Sequence, residues 1–278
     1  MRKLKGLEDI IPYTSVHWHM GEKGWRFATP DDKDAPGAEV TKDPLHPDFS
    51  HLRNLYFHAD KDYSGRFTVP TLWDKKKQTI VSNESAEIIR MFYTEFDDLL
   101  PEQYKTPNVD LFPSKLQKEI EETNDWTYND INNGVYRSGF ASSQEAYEKA
   151  VNQLFKSLDR VEAHLNQKRD GPFYHGKHIT EADVRLFTTI VRFDVVYVQH
   201  FKCNIRDVRS GYPAIHKWLR ELYWNVPAFG ETTEFTHIKC HYTKSHGQIN
   251  PFSITPVGPL PNILPLDKEV AAVEAAKK

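Results

Sequence analysis

Residues 66–85, Arg66-Phe67-Thr68-Val69-Pro70-Thr71-Leu72-Trp73-Asp74 followed by KKKQ and Thr79-Ile80-Val81-Ser82-Asn83-Glu84-Ser85, decide how the first part of the chain folds. Two short apolar runs, VPTLWD and TIVSN, flank the charged turn Lys75–Lys77, a pattern that predicts a β-hairpin. Val69-Pro70 stands at a strand entrance, where a cis peptide bond is expected: proline tolerates cis, and such bonds sit in tight turns. The residue before a cis-proline turns its backbone N–H and C=O outward, where a peptide-like ligand can meet them. From Glu84 to Phe96 the spacing predicts a helix with Ile88, Met91, Phe92 and Phe96 on one stripe. Its start, SNES, is rich in capping side chains.

The start of that helix favours a carboxylate through its free N–H groups and dipole. Ser85 adds a hydroxyl donor and Glu84 an acceptor for an amine. Together the segment suits an amino-acid head at the helix start and a peptide group at the proline, and glutathione has both parts. An ordinary strand turn and helix cap explain the same residues.

Upstream, residues 13–20 alternate, with Val16, Trp18 and Met20 on one face and Ser15, His17 and His19 on the other. Period two predicts a strand with a polar histidine face. Residues 21–50 carry Gly21, Gly24, Pro30, Pro36, Gly37, Pro44 and Pro47, which predict a long polar loop with Asp31, Asp32, Lys33 and Asp34 as a solvated charge run. Residues 51–58 read as a short helix. Beyond about residue 114 the pattern is helical. Ala146, Ala150, Leu154, Leu158, Val161 and Leu165 recur at three or four positions and predict a long amphipathic helix over 143–167. A second helix starts at Thr180 and runs through Leu186, Ile190, Phe193 and Val196. A third begins at Pro213, a residue suited to the first turn, and ends at Pro227. Thr180 and Asp183 have capping-box spacing, with Ile179 as the hydrophobic staple, so Asp183 is expected to be buried and structural. The last thirty residues are proline-rich and end in a tail, 266–278, expected to fray. The fold class is α/β followed by all-α, with boundaries at 1–104 and 105–265.

Composition narrows the setting. The 278 residues hold 36 Lys plus Arg against 39 Asp plus Glu, a net charge of −3. That balance gives no electrostatic footprint for nucleic acid or an anionic membrane. No run approaches the roughly 18 apolar residues that span a bilayer, and MRKLKGLEDIIPY has no apolar signal core. The two cysteines, Cys203 and Cys240, make no disulfide scaffold, so a reduced, cytoplasmic setting is expected. His237, His241 and His246 lie near Cys240, but their spacing matches no common zinc signature and no metal is expected.

VPTLWD…TIVSNES followed by GKHITEADVRLF resembles the glutathione transferase superfamily. HMGEKGWRF, NNGVYRSGFA, RFDVVYVQHFKCN and HYTKSHGQINP resemble, more narrowly, the omega-like, xi-class glutathionyl-hydroquinone reductases. The resemblance implies a thioredoxin-like N-terminal domain, a helical C-terminal domain, glutathione as co-substrate and a homodimer. It implies that Trp25 packs on glutathione, that Arg66, Phe67, Thr68, Val69 and Pro70 contact its cysteinyl part, and that Glu84 and Ser85 clamp its γ-glutamyl head. By the same resemblance Tyr136 lines a quinone pocket as a proton donor, and Arg192 and Tyr242 sit near the reactive sulfur. Trp25 and Tyr136 also read as packing aromatics, and Arg192 as a structural ion-pair partner of Asp194 or of a helix neighbour.

One departure stands out. The family's Cys-Pro motif, whose thiolate forms a mixed disulfide with glutathione as the quinol leaves, would fall roughly nine positions before Met1. The first strand and most of the first helix would precede the chain with it. Three readings follow: a chain cut short from a longer enzyme, which is the leading expectation; a glutathione-binding or dimerising protein without thiol transfer; or Cys240 as substitute nucleophile. Cys203 is expected to be a packed core thiol.

Overall fold

The structure is a computed structural model that describes residues 1–33, 37, 39–167 and 170–258. Asp34 and Pro36 of the expected loop, Pro259, Pro261 and Pro265, and the expected tail 266–278 lie outside them. The chain divides into two compact units, Met1–Val109 and Asp110–Lys278.

In the first unit, β1 (Met20–Gly21) pairs antiparallel with β2 (Gly24–Trp25). Helix α1 (Leu52–Ala59) starts at a capping box in which Asn54 Oδ1 accepts the His51 N–H at 3.0 Å. Its buried face, Leu52, Leu55 and Tyr56, closes on Phe27 to form the core, half-covered by Trp25, Phe67, Trp73 and Ile80. The hairpin forms as read: β3 (Leu72–Asp74) pairs antiparallel with β4 (Thr79–Ser82), Trp73 opposite Ile80. Its charged tip closes because Asp74 Oδ1 accepts the N–H groups of Lys76 and Lys77 at 2.8 and 2.9 Å. Helix α2 (Ser85–Thr94) follows, shorter than the expected Glu84–Phe96, and a tighter turn at Asp97–Leu99 takes its place. That turn is tied to the start of the chain by Lys5, which is fully buried and donates to Asp97 Oδ1 at 2.9 Å.

Two expectations here fail. Residues 13–20 are not a strand, and His17 and His19 share no polar face: His17 is buried and His19 exposed. The reason is the backbone pairing. Ser15 N–H donates to Glu39 O and His17 N–H to Arg26 O, isolated bonds to loop partners that build no ladder. His17 Nδ1 then accepts the His19 N–H at 3.0 Å, which folds the chain on itself. The charge run is not simply solvated either. Asp32 receives both terminal nitrogens of Arg26 at 2.7 Å and the Thr29 N–H at 2.7 Å, which hold its carboxyl well below the usual range.

The second unit is helical: α3 (Gln117–Thr127), α4 (Gly134–Gly139), α5 (Gln144–Leu165), α6 (Glu181–Arg192), α7 (Val198–His200), α8 (Val208–Gly211), α9 (Pro213–Asn225), α10 (Pro227–Gly230) and α11 (Phe235–Ser245). A π-helical turn joins α3 toward α4 at Tyr128–Asn132, and another continues α6 into α7 at Phe193–Tyr197. The expected stripes are mostly inside: Leu154, Leu158, Val161 and Leu165 of α5, and Leu186, Ile190, Phe193 and Val196 along α6 and its extension, whereas in the first turns of α5 Ala146 is exposed and Ala150 half-buried. Helix α9 starts at Pro213, and Glu162 of α5 accepts the N–H groups of Ala214 and Ile215 at 2.8 and 2.9 Å. An acid at those orphan donors also complements the helix dipole. Among the described residues no helix is long and apolar enough to cross a membrane.

The capping box at α6 is present, and Asp183 does more than cap. With no exposure, its carboxylate accepts from Thr180 N–H at 2.9 Å, Thr180 Oγ1 at 3.0 Å, Tyr174 N–H at 2.8 Å and Trp218 Nε1 at 2.8 Å. Burial pushes its pKa up, and these donors pull against that shift. Asp183→Ala is expected to cost about 3–5 kcal/mol, because it strands buried donors from three segments. Chemical denaturation of the two proteins measures the difference, and a loss under about 1 kcal/mol contradicts the assignment.

Candidate functional site

The first unit brings the hairpin entrance and the α2 start together. The Val69-Pro70 bond is cis, as the sequence suggested, and Val69 is exposed. Thr68 O accepts from Tyr56 Oη at 2.8 Å and Thr71 Oγ1 at 3.0 Å. Asn83 Nδ2 donates to Thr68 Oγ1 and to Tyr56 Oη, each at 3.1 Å, tying the turn into α2 to the segment before the proline. Ser82 Oγ accepts the Glu84 N–H at 3.1 Å and donates to Glu87 Oε2 at 2.8 Å. The turn is thereby fixed by its neighbours, while the Glu84 and Ser85 side chains are exposed and make no bond among the described residues. Phe67 and Trp25 are half-buried against the apolar core, Phe67 ringed by Tyr56, Phe57 and Tyr63. Arg66 is exposed beside them.

The second unit brings together Tyr136 of α4 and Tyr242 of α11, their hydroxyls 2.6 Å apart. Tyr242 Oη lies 2.9 Å from a third hydroxyl, that of Tyr197 in the π-turn after α6. Tyr136 is 41% exposed, whereas Tyr242 and Tyr197 are buried. Burial raises the pKa of both inner phenols well above the ordinary value, against an opposing pull from the charge of Arg192, so both keep their protons. Arg192 donates to Thr188 O at 2.5 Å. It is not the partner of Asp194, whose carboxylate instead accepts the Val208 and Arg209 N–H groups at 2.7 and 3.0 Å. Burial pushes the Asp194 carboxyl up to about 6.

The tyrosines rest on Phe201, which is fully buried, with Tyr136, Phe140 and Tyr242 ring centroids 5.3, 5.3 and 5.5 Å away. Gly139 makes this possible. A Cβ there would sit 2.1 Å from the Phe201 ring. Below, His200 Nε2 meets His246 Nδ1 at 3.1 Å, both buried. Cys203 is fully buried and its thiol is pushed up to about 12, which removes it as a nucleophile. Cys240 is half-buried on α11, in a cavity of about 340 Å³ that it shares with Phe235, Lys239 and Val257. Among the described residues no group of His, Cys, Asp and Glu is placed to hold a metal ion.

Residues 1–95 match the glutathione S-transferase N-terminal domain family, and residues 144–221 the glutathione S-transferase C-terminal domain family. Over 263 residues the chain is 57% identical to glutathione S-transferase omega-like 2 of Schizosaccharomyces pombe, covering 95% of this chain and 81% of that protein. The chain belongs to the glutathione S-transferase family. Within it, the likeness is to omega-like and xi-class members. Glutathionyl-hydroquinone reductase YqjG of Escherichia coli is 51% identical over 259 residues, covering 93% of this chain and 74% of that protein. The xi glutathione transferase ECM4 of Saccharomyces cerevisiae, solved in complex with glutathione, has a TM-score of 0.89 and 44% identity, covering 95% of this chain and 88% of its own.

Three parts of the candidate site carry little or no signal in the sequence. Asn83 and Tyr56 are the wiring behind the proline, and the Asn immediately before Glu84-Ser85 was the available signal. Helix α11, which carries Tyr242, was missed although Ile238 and Tyr242 are spaced i, i+4 after Glu234, which caps the helix by accepting the Thr236 N–H. Tyr197 had no local signal.

The histidine pair makes stability depend on pH. Burial pushes His200 and His246 down from 6.5 to about 4, so the folded protein leaves them neutral where the unfolded chain binds protons. The unfolded state then holds more protons between about pH 6.5 and 4, and stability falls as pH falls through that window. Melting temperatures at pH 7.5, 6, 5 and 4.5 are expected to decline over this range, and the double variant His200→Asn, His246→Asn to decline less steeply. Equal slopes contradict the assignment.

Proposed function

We propose that the chain takes glutathione as co-substrate and serves the thiol-transfer reaction that reduces S-glutathionyl-hydroquinones. The observation that carries this reading is the hydroxyl chain of Tyr136, Tyr242 and Tyr197, which ends in an exposed phenol over an aromatic floor. Net, a glutathionyl-hydroquinone and glutathione give the hydroquinone and glutathione disulfide. The aryl carbon–sulfur bond breaks with its electron pair going to the ring carbon, a sulfur–sulfur bond forms, and the thiol proton ends on that carbon. Tyr136 donates a hydrogen bond to a ring oxygen where charge develops, and Phe140, exposed beside it, supplies apolar surface for the ring.

Glutathione is assigned to the first unit: its γ-glutamyl carboxylate at the α2 start with Ser85, its amine at Glu84, and its peptide group at the Val69 backbone. Arg66, Phe67, Thr68, Pro70 and Trp25 belong to this binding assignment, Phe67 and Trp25 as the apolar backing. Arg192 and Tyr242 are assigned to the transferring end. The attacking thiol is that of the family's Cys-Pro motif. This reading assumes a cytoplasmic homodimer. A second reading, glutathione binding without thiol transfer, is favoured by the burial and raised pKa of Cys203.

Calorimetric titration tests the clamp: Glu84→Ala with Ser85→Ala is expected to weaken glutathione binding about tenfold or more, and an unchanged Kd refutes it. Turnover of a glutathionyl-hydroquinone is measured on the chain and on a version carrying a Cys-Pro motif upstream of Met1. Activity is expected with the motif, reduced roughly 10–100-fold by Tyr136→Phe. Glutathione binding without turnover in either version favours the second reading, and activity in both that is lost with Cys240→Ser moves the nucleophile to Cys240.

A further inference from the structure

The hydroxyls of Tyr136, Tyr242 and Tyr197 form a chain whose polarity the burial pattern decides. Each phenol has one proton to donate and can also accept. Tyr197 is 2% exposed, and among the described residues its hydroxyl has one hydrogen-bond partner, Tyr242 Oη at 2.9 Å. If Tyr197 accepted from Tyr242, its own proton would be buried without an acceptor, a cost of about 1–3 kcal/mol. Tyr197 therefore donates to Tyr242. The Tyr242 hydroxyl, 2.6 Å from Tyr136 and with no other partner among the described residues, must then place its own proton on Tyr136 Oη. Tyr136 accepts that bond at its exposed ring, so its own proton points outward.

We infer that Tyr197 is a positioning residue: it sets the direction of the hydroxyl chain so that Tyr136 faces its ligand as a hydrogen-bond donor, selecting a phenolate or carbonyl oxygen over a donor group. The inference rests on the aromatic-ligand reading above but not on thiol transfer. Each bond in a chain of the same direction polarises the next, so the outermost O–H is a stronger donor than a lone phenol. The geometry that allows this belongs to the π-turn Phe193–Tyr197, which carries Tyr197 at the point where α6 passes into α7, and π-turns recur at functional sites.

The test uses 4-nitrophenol as probe, with the full chain and no glutathione, and reads the pKa of the bound phenol from its absorbance. Wild-type protein is expected to bind the probe and lower that pKa. Tyr136→Phe is expected to abolish most of the effect, about tenfold in the probe's acid dissociation constant, and Tyr197→Phe to remove about threefold. Replacing Tyr197 by 3-fluorotyrosine, a more acidic donor of nearly the same shape, is expected to move the bound pKa further down. A purely structural role for Tyr197 does not give shifts of opposite sign in two variants at one position. Should Tyr197→Phe fail to fold, the fluorotyrosine shift alone decides. A bound pKa indifferent to fluorination, or a wild-type protein that does not lower the probe's pKa, overturns the inference. Because no turnover is involved, loss of thiol transfer with these shifts intact counts against the proposed function and not against the role of Tyr197.

Discussion

The carboxylate of Asp183 is the constraint on which the helical unit depends. It is a charge-bearing group with no access to solvent, and it is tolerable only because four donors from three segments converge on it. The Thr180 donors fix where α6 begins, Tyr174 anchors the loop ahead of it, and Trp218 brings α9 against the same point. With its start fixed, α6 delivers Arg192 and then Tyr197 at its far end. The helix thus carries the precision of a buried polar cluster to the hydroxyl chain of the candidate site.

The first unit uses the same principle with neutral groups. Tyr56, Thr68, Thr71 and Asn83 satisfy one another, so the backbone around the cis-proline and the turn into α2 move as one piece. Their side chains are spent inward. Those of Glu84 and Ser85 are left outward, an arrangement suited to a ligand that brings its own carboxylate and amine.

Much of this was legible in the amino-acid order. The hairpin, α5, α6 and α9 follow apolar periodicities long enough to outweigh local ambiguity, and the capping box at Thr180 and Asp183 is a short-range pattern with a direct structural meaning. Where reading failed, the deciding partner was distant or unexpected. The alternation at residues 13–20 lacks a neighbouring strand to make it a ladder, and His17, polar by type, is buried beside Asp32. Helix α11 buries Ile238, Tyr242 and the polar Thr243, with Thr, His and Lys around them, too weak an apolar stripe to stand out. Tyr197 meets Tyr242 across 45 positions, which no local pattern encodes. The resemblance to glutathione transferases supplied Tyr136 and Tyr242, but their shared hydroxyl chain is visible only in three dimensions.

The two π-turns have a consequence for how this sequence can vary in length. An α-helix advances about 100° per residue, so the extra residue held in a π-turn offsets the phase of everything after it. Removing one residue between Phe193 and Tyr197 would restore a regular ladder and leave the apolar composition almost untouched. It would also rotate His200 and Phe201 by about a quarter-turn, taking the aromatic floor out from under Tyr136 and the histidine out of reach of His246. Single-residue length changes in this stretch therefore act on the site as strongly as substitutions in it, although the helix itself would gain regularity.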